Sequence, residues 1–322
     1  MFRNMKSISE TFHEAVLPGE VLQALNIRPA GVYADFTAGG GSHSRAILEQ
    51  LDQNGRLIAG DRDQSAVQAA TTTLTSVGAQ AAWEVRHRSF GDLADDLVRE
   101  GIMLDGMLAD LGVSSHQLDT PERGYSYKAD GPLDMRMDVA QGETAADIVN
   151  LRTAEELTDI FRRYGEERHA RRIADYLVKR RNTRPFFRTL DLADAVATAM
   201  PAAARREAQH PARRVFQALR IEVNSELAQL EHLLDRVPAL MRDRGRVLFI
   251  TFHSLEDRLV KRAMTVWQSP CDCPRHLPCT CGQKPLGKQL NRGGVTAGET
   301  ELKQNRRSKS ARLRIFEIRK EQ

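Results

Sequence analysis

G-V-Y-A-D-F-T-A-G-G-G-S-H-S-R-A-I-L-E-Q-L-D-Q-N-G-R-L-I-A-G-D, residues 31–61, is the stretch on which the fold turns. Gly31-Val-Tyr-Ala-Asp35-Phe36 is a short apolar run, expected as a buried strand. A glycine cluster follows, and from His43 to Leu51 the apolar Ala46, Ile47 and Leu51 recur at helical spacing. Arg56-Leu-Ile-Ala-Gly-Asp61 reads as a second strand, which completes a βαβ unit. The alternation continues with a helix over 65–74, a strand over 82–86, a helix over 92–99 and a strand over 104–110. Strands separated by helix-length segments imply a doubly wound parallel α/β sheet.

The alternation then stops. Residues 112–140 are rich in Gly, Ser, Asp and Pro, a long loop of the kind usually kept for function. From 144 to about 200 the pattern is helical and Arg-rich with no strand candidate, and one long helix is expected over 212–237. Gly245-Arg-Val-Leu-Phe-Ile-Thr-Phe252 restores a buried strand, Leu255–Trp267 a helix, and Ala311–Ile318 alternates as a late strand. The expected organisation is a core in two parts, 1–133 and 213–322 with a basic tail, around a helical insert at 134–212.

Composition narrows the class. The chain has 322 residues, 41% of them hydrophobic, enough to bury a core and exclude wholesale disorder. No stretch reaches the roughly 18 consecutive apolar residues of a membrane span, and Met1–Lys6 leads into polar residues rather than a signal-peptide core. All four cysteines fall within 271–281, which fits a reducing compartment, so a soluble cytoplasmic protein is expected. The net charge of +4 conceals two basic concentrations. Residues 162–188 carry ten basic and three acidic side chains, and residues 303–322 eight and two. Arginine's planar fork binds phosphate bidentately, so clustered Arg is a nucleic-acid footprint; the competing reading is solvated helix faces.

The glycine loop, Asp35-Phe-Thr-Ala-Gly39-Gly40-Gly41-Ser42-His43-Ser44, lets backbone approach a ligand at a helix N-terminus. Asp61, at the end of the second strand, is placed to accept from ribose hydroxyls. A dinucleotide fingerprint needs a third glycine where Ser44 stands. An acid four positions before the first glycine is instead the S-adenosylmethionine pattern.

At this point the chain resembles the 16S rRNA cytosine-N4 methyltransferase family. The resemblance rests on D-x-T-x-G-x-G-x-H-S, A-D-L-G-V-S-S-H-Q-L-D (109–119), R-G-Y-S-Y (123–127) and G-P-L-D-M-R-M (131–137). It extends through H-P-A-R-R-V-F-Q-A-L-R-I-E-V-N-S-E-L (210–227), F-H-S-L-E-D-R-L-V-K (252–261) and N-R-R-S-K-S-A-R-L-R (305–314). Ser42 stands for a usual glycine and Arg306 for a usual proline. The resemblance implies a class I, Rossmann-like methyltransferase using S-adenosylmethionine. Its implied substrate is N4 of cytidine 1402, in the decoding region of 16S rRNA within the small ribosomal subunit. It carries cofactor contacts to Gly41, Ser42, His43, Asp61, Phe90, Asp110 and Gln117.

Asp110, ending the fourth strand, faces the crevice where α/β sheets bind ligands. It is a candidate proton acceptor for the conjugated N4 amine, with cofactor binding alone as the other reading. Tyr125 and Tyr127 suit stacking on a flipped-out base, or else pack the loop against the insert. His253 is a further candidate at a strand end. Arg171 and Arg172 of the insert, with Arg162, Arg163 and Arg168, and Arg306, Arg307, Arg312 and Arg314 near the chain end, are candidates for rRNA phosphates. Covalent C5 methylation is disfavoured, because the fourth-strand loop holds no cysteine nucleophile. A ribosome-binding assembly factor using the fold as scaffold is the rival class, against which the intact cofactor loop speaks. No metal is expected at the reacting centre. C-D-C-P-R-H-L-P-C-T-C-G (271–282) is open between a structural zinc and four reduced thiols, its C-x-C spacing being unlike the common knuckles.

Overall fold

The computed structural model describes residues 15–203, 210–274 and 280–320, the side chain of Arg306 excepted. The chain divides into two units, Met1–Gly112 with Leu227–Gln322, and Val113–Glu226. The first opens with α1 (Pro18–Leu25), β1 (Val32–Asp35), α2 (Ser42–Leu48), β2 (Arg56–Asp61), α3 (Gln64–Thr75), β3 (Ala82–His87), α4 (Phe90–Arg99) and β4 (Leu104–Asp110). The second holds α5 (Ser115–Asp119), α6 (Ala145–Leu151), α7 (Ala154–Gly165), α8 (Ala170–Arg181), α9 (Thr189–Ala199) and α10 (Arg213–Asn224). The chain then gives α11 (Glu226–Leu240), β5 (Met241–Thr251), α12 (Ser254–Gln268), β6 (Gly287–Gln289), α13 (Glu299–Gln304) and β7 (Arg312–Ile318).

Among the described residues seven strands form one sheet in the order β3-β2-β1-β4-β5-β7-β6. β1 to β5 pair in parallel, and β7 runs antiparallel to β5 and β6. This is the Rossmann-like class expected. Both faces are covered, which is why the strands read as continuous apolar runs. Ala34, Ile58, Met107, Val247 and Phe249 join one core cluster. Their neighbours Tyr33, Leu57, Leu108, Leu248 and Ile250 join another, as the two-residue period requires. From β1 the connections run outward to β2 and β3, and from β4 the other way to β5. That reversal leaves a crevice at the carboxyl ends of β1 and β4.

Two boundaries differ from the sequence reading. The expected helix over 212–237 breaks at Ser225, whose left-handed backbone (φ 50°, ψ 35°) ends α10. Phe216 and Leu219 of α10 belong to the core of the helical unit, whereas Leu230, Leu233 and Val237 of α11 belong to that of the sheet. The helical unit also begins at Val113 rather than 134. Tyr125, Leu133, Met135 and Met137 from the long loop are buried in the same core as Phe161, Phe186 and Leu219. Asn224 pins that loop: its Oδ1 accepts from Met137 N–H and its Nδ2 donates to the Met135 carbonyl, both at 2.8 Å.

The basic C-terminal tail is likewise no tail. Residues 312–318 form β7 inside the sheet, with Leu313, Phe316 and Ile318 buried. Arg314, expected to grip phosphate, is buried and donates to both oxygens of Asp257 at 2.6 and 2.8 Å. Among the described residues no helix is long and apolar enough to cross a membrane.

Removing one partner of a buried ion pair leaves the other charge without compensation. Asp257→Ala should therefore lower unfolding free energy by about 3–5 kcal/mol. Arg312→Ala, at an exposed position of the same strand, should lower it by under about 1 kcal/mol. Equal losses in denaturant titrations would contradict the placement of Arg314.

Candidate functional site

The site grows from the ends of β1, β2 and β4 in the first unit. Asp35 is fully buried at the end of β1. Its Oδ2 accepts from Ser44 Oγ at 2.6 Å, and its Oδ1 from Thr37 N–H at 3.1 Å. Thr37 Oγ1 in turn accepts the Asp110 N–H at 2.6 Å, tying the β1 loop to the end of β4. On the other side Ala38 N–H donates to the Gly60 carbonyl, and Gly39 N–H to Asp61 Oδ2, both at 2.9 Å. Asp61 also accepts the Asp63 N–H at 2.9 Å.

Within this frame the loop needs glycine at specific points. Gly41, which precedes α2, has φ +86°, and a Cβ there would meet the backbone of Ala70 at 3.0 Å and Thr73 Cβ at 3.1 Å. Gly39 also has a positive φ, +51°, but a Cβ there meets only the Thr37 carbonyl oxygen at 4.0 Å. Gly41 is thus held by close approach to α3 as well as by backbone conformation.

Electrostatics sets the crevice apart. Burial pushes the Asp35 carboxyl upward, against the hydrogen bonds from Ser44 and Thr37. Burial likewise pushes Asp61 up to about 6, although the Asp63 and Gly39 N–H groups oppose it. Asp110 is held well above the carboxylate range by burial, with the charges of Asp35 and Glu256 adding to it. Its Oδ2 lies 3.7 Å from His43 Nε2, too far for a hydrogen bond. Its buried Oδ1 has no hydrogen-bond partner among the described residues. An orphaned buried oxygen beside an open glycine loop fits a ligand that brings a donor or a positive charge.

The structure brings Gly41, Ser42, His43, Asp61 and Asp110 to the strand ends of one unit. Phe90 is half-buried and begins α4, after β3. Gln117 belongs to the helical unit, where it is buried and its amide oxygen accepts the Ser114 N–H at 3.0 Å in the capping box of α5. His253 is the N-cap of α12, where its Nδ1 accepts the Glu256 N–H. Its Nε2 faces Glu256 Oε1 at 3.0 Å, outside hydrogen-bond alignment.

Base stacking by Tyr125 does not survive. Tyr125 is 5% exposed within the helical core. Tyr127 stacks on His210 at 4.9 Å and meets Phe216 edge-on at 5.8 Å. The Tyr127 ring is half-buried against the same helical core. Arg171 pairs with Asp175 and Glu155 at 3.0 and 3.1 Å, and Arg172 donates to the Ala199 carbonyl. Arg162, Arg163 and Arg168 are exposed on the same unit. Arg307 is half-buried, Arg312 donates to the Gly293 carbonyl at 3.0 Å, and the Arg306 side chain lies outside the described residues.

Sequence reasoning missed Thr37 and Glu256. Glu256 stands three residues after His253, the spacing of a capping box, but histidine is an unusual N-cap. Thr37 carries no comparable signal, since its role appears only when β1 and β4 become neighbours.

A profile of the MraW methylase family matches residues 10–319. The chain is 47% identical to a ribosomal RNA small subunit methyltransferase H from Geobacter sp. (strain M21) over 311 residues, 96% of this chain and 99% of that one. The protein of that name from Symbiobacterium thermophilum is 47% identical over 304 residues, 94% of this chain and 95% of its own. The one from Clostridioides difficile (strain 630) is 43% identical over 310 residues, 96% of this chain and 99% of its own.

Alanine in the left-handed region costs roughly 1–2 kcal/mol from backbone conformation alone. Gly39→Ala should lose about that much stability, and Gly41→Ala distinctly more, because Ala70 and Thr73 of α3 must also give way to its Cβ by a few tenths of an ångström. Thermal or denaturant unfolding of the two variants checks the order; equal losses would remove the close-approach argument.

Proposed function

The chain belongs to the MraW methylase family, and from that premise we propose that it methylates N4 of cytidine 1402 in the decoding region of 16S rRNA, within the small ribosomal subunit. It is an S-adenosylmethionine-dependent rRNA methyltransferase. The observation that supports methylation of an amine is the pairing of a glycine loop tied to Asp61 with the partnerless buried oxygen of Asp110. The cytoplasm, where ribosomal subunits are assembled, is the place of action this reading implies.

The residues fit the cofactor. Within the sheet unit, Gly41, Ser42 and His43 would hold it along the loop, Asp61 would accept from its ribose hydroxyls, and Phe90 would add a contact; the family resemblance also assigns a contact to Gln117. When bound, the cofactor supplies an electrophilic methyl on a sulfonium. The cytidine amine is conjugated with its ring and must shed a proton as it is alkylated. Asp110 Oδ1, accepting an N4 N–H, would orient that lone pair and take the proton. Its raised affinity for protons makes it a strong acceptor once ionised, and a cation held beside it favours the ionised form. Most of the rate then comes from holding the amine in line with the methyl. The exposed Arg162, Arg163 and Arg168 are available to rRNA phosphates, whereas Arg171 and Arg172 would have to exchange their partners on the protein for phosphate.

Small subunits from a strain lacking this modification, incubated with the protein and labelled cofactor, should gain one N4-methylcytidine in the decoding region, mapped by mass spectrometry of nuclease fragments. Label at another nucleotide, or at cytosine C5, would contradict the assignment.

Asp61 supplies an independent check. A carboxylate with pKa about 6 is protonated below that pH and then accepts less well. Cofactor affinity should therefore fall as pH drops through about 6. Asp61→Ala should bind about 1.5–3 kcal/mol more weakly at neutral pH, with that pH step removed. An unchanged step in the folded variant would assign it to another group.

A further inference from the structure

We propose that Cys271, Cys273 and Cys281 bind a zinc ion, at a structural site separate from the methyl-transfer centre. Their sulfur atoms all lie within 4.8 Å of one another. Zn–S bonds of about 2.3 Å place the sulfurs of a tetrahedral site roughly 3.8 Å apart, so closing the cluster on an ion takes shifts of about an ångström. Sequence spacing alone spoke against this, because side chains two residues apart on an extended strand diverge. The fold answers that objection by bringing Cys281 back against Cys271 and Cys273 from the far side of the loop. Backbone N–H groups of Thr280 and Cys281 donate to the Cys273 sulfur, an arrangement that favours a thiolate ligand. Gly282 follows at φ +65°, turning the chain away directly after the last of the cysteines.

The surroundings supply the need. The segment 269–286 joins α12 to β6, and both its ends are fixed. Leu286 N–H donates to the Trp267 carbonyl at 2.7 Å, and the Leu286 carbonyl accepts from Arg319 N–H at 2.8 Å. Trp267 itself packs edge-on against Phe316 at 5.4 Å. Between those anchors the described residues form no helix or strand, and Cys271 is exposed while Cys273 and Cys281 are half-buried. None of the described side chains from Ser269 to Pro285 is a large hydrophobe, so they offer no apolar core of their own. Long irregular loops without a core are uncommon, and a metal is one standard way to order them. The donor set selects the ion: three thiolates suit zinc and exclude magnesium or calcium, which take oxygen. Cys279 lies outside the described residues, and the experiment decides whether it is a further ligand.

Full-length protein is expressed with zinc in the medium, purified under a phosphine reductant without chelator or immobilised nickel, and its metals are counted by mass spectrometry. About one zinc per chain is expected, with sulfur dominating its X-ray absorption. Cys273→Ser should lose at least about ten-fold in zinc affinity while keeping its cofactor affinity and far-ultraviolet spectrum. Should that variant not fold, cobalt titrated into reduced wild-type protein gives the second readout, as sulfur-to-cobalt charge-transfer absorption. Folded wild-type protein that holds no zinc and gives no such absorption overturns the proposal. So does zinc bound through nitrogen and oxygen alone, or zinc fully retained in Cys273→Ser.

Discussion

The buried carboxylate of Asp35 is the constraint on which the rest of the site depends. It lies at the end of β1 with no exposure, and its hydrogen bonds from Ser44 and Thr37 fold the glycine loop back over the strand. Thr37 then passes the constraint to β4 by accepting the Asp110 N–H. Asp61 holds the loop from its other side through Gly39. Three strand ends are thereby fixed to one loop, and fixed geometry is what a transferase needs where most of the rate comes from positioning.

That arrangement crowds like charges. Asp35, Asp61 and Asp110 all have raised proton affinities, each chiefly through burial, and Asp110 also faces the charge of Glu256. An acid whose folded pKa is raised weakens folding as pH rises from its unfolded value through its folded one. For Asp61 that window runs from about 4 to about 6. Such a cluster is poorly explained as a stabilising device. It makes sense as a receptor for positive charge, with stability given up at the place where function sits.

The sheet was legible because its strands are buried on both faces and separated by helix-length segments. The strands ending in Asp61 and Asp110 stand where the apolar runs placed them. The break at Ser225 was not legible, since a serine in left-handed conformation leaves no glycine or proline to mark it. Charge density misled at the C-terminus, where Arg314 alternates with apolar neighbours yet pairs with Asp257 beneath the surface. Composition cannot separate an arginine facing phosphate from one facing a carboxylate. Tyr125 misled in the same way, because a loop rich in turn residues looked exposed while it was filling a helical core. Tertiary pairing decided each of these cases, and no local pattern carries it.

The central claim is that the crevice of acids is built to take up a cation, and calorimetry tests it directly. Binding of S-adenosylmethionine is measured near pH 6.5 in two buffers with different ionisation enthalpies, beside S-adenosylhomocysteine, which lacks the sulfonium charge. If the cation drives the buried carboxyls into their ionised forms, S-adenosylmethionine should release more protons than its neutral counterpart, and Asp110→Asn should remove part of that excess. Heats independent of buffer, or equal proton release for the two ligands, would contradict it.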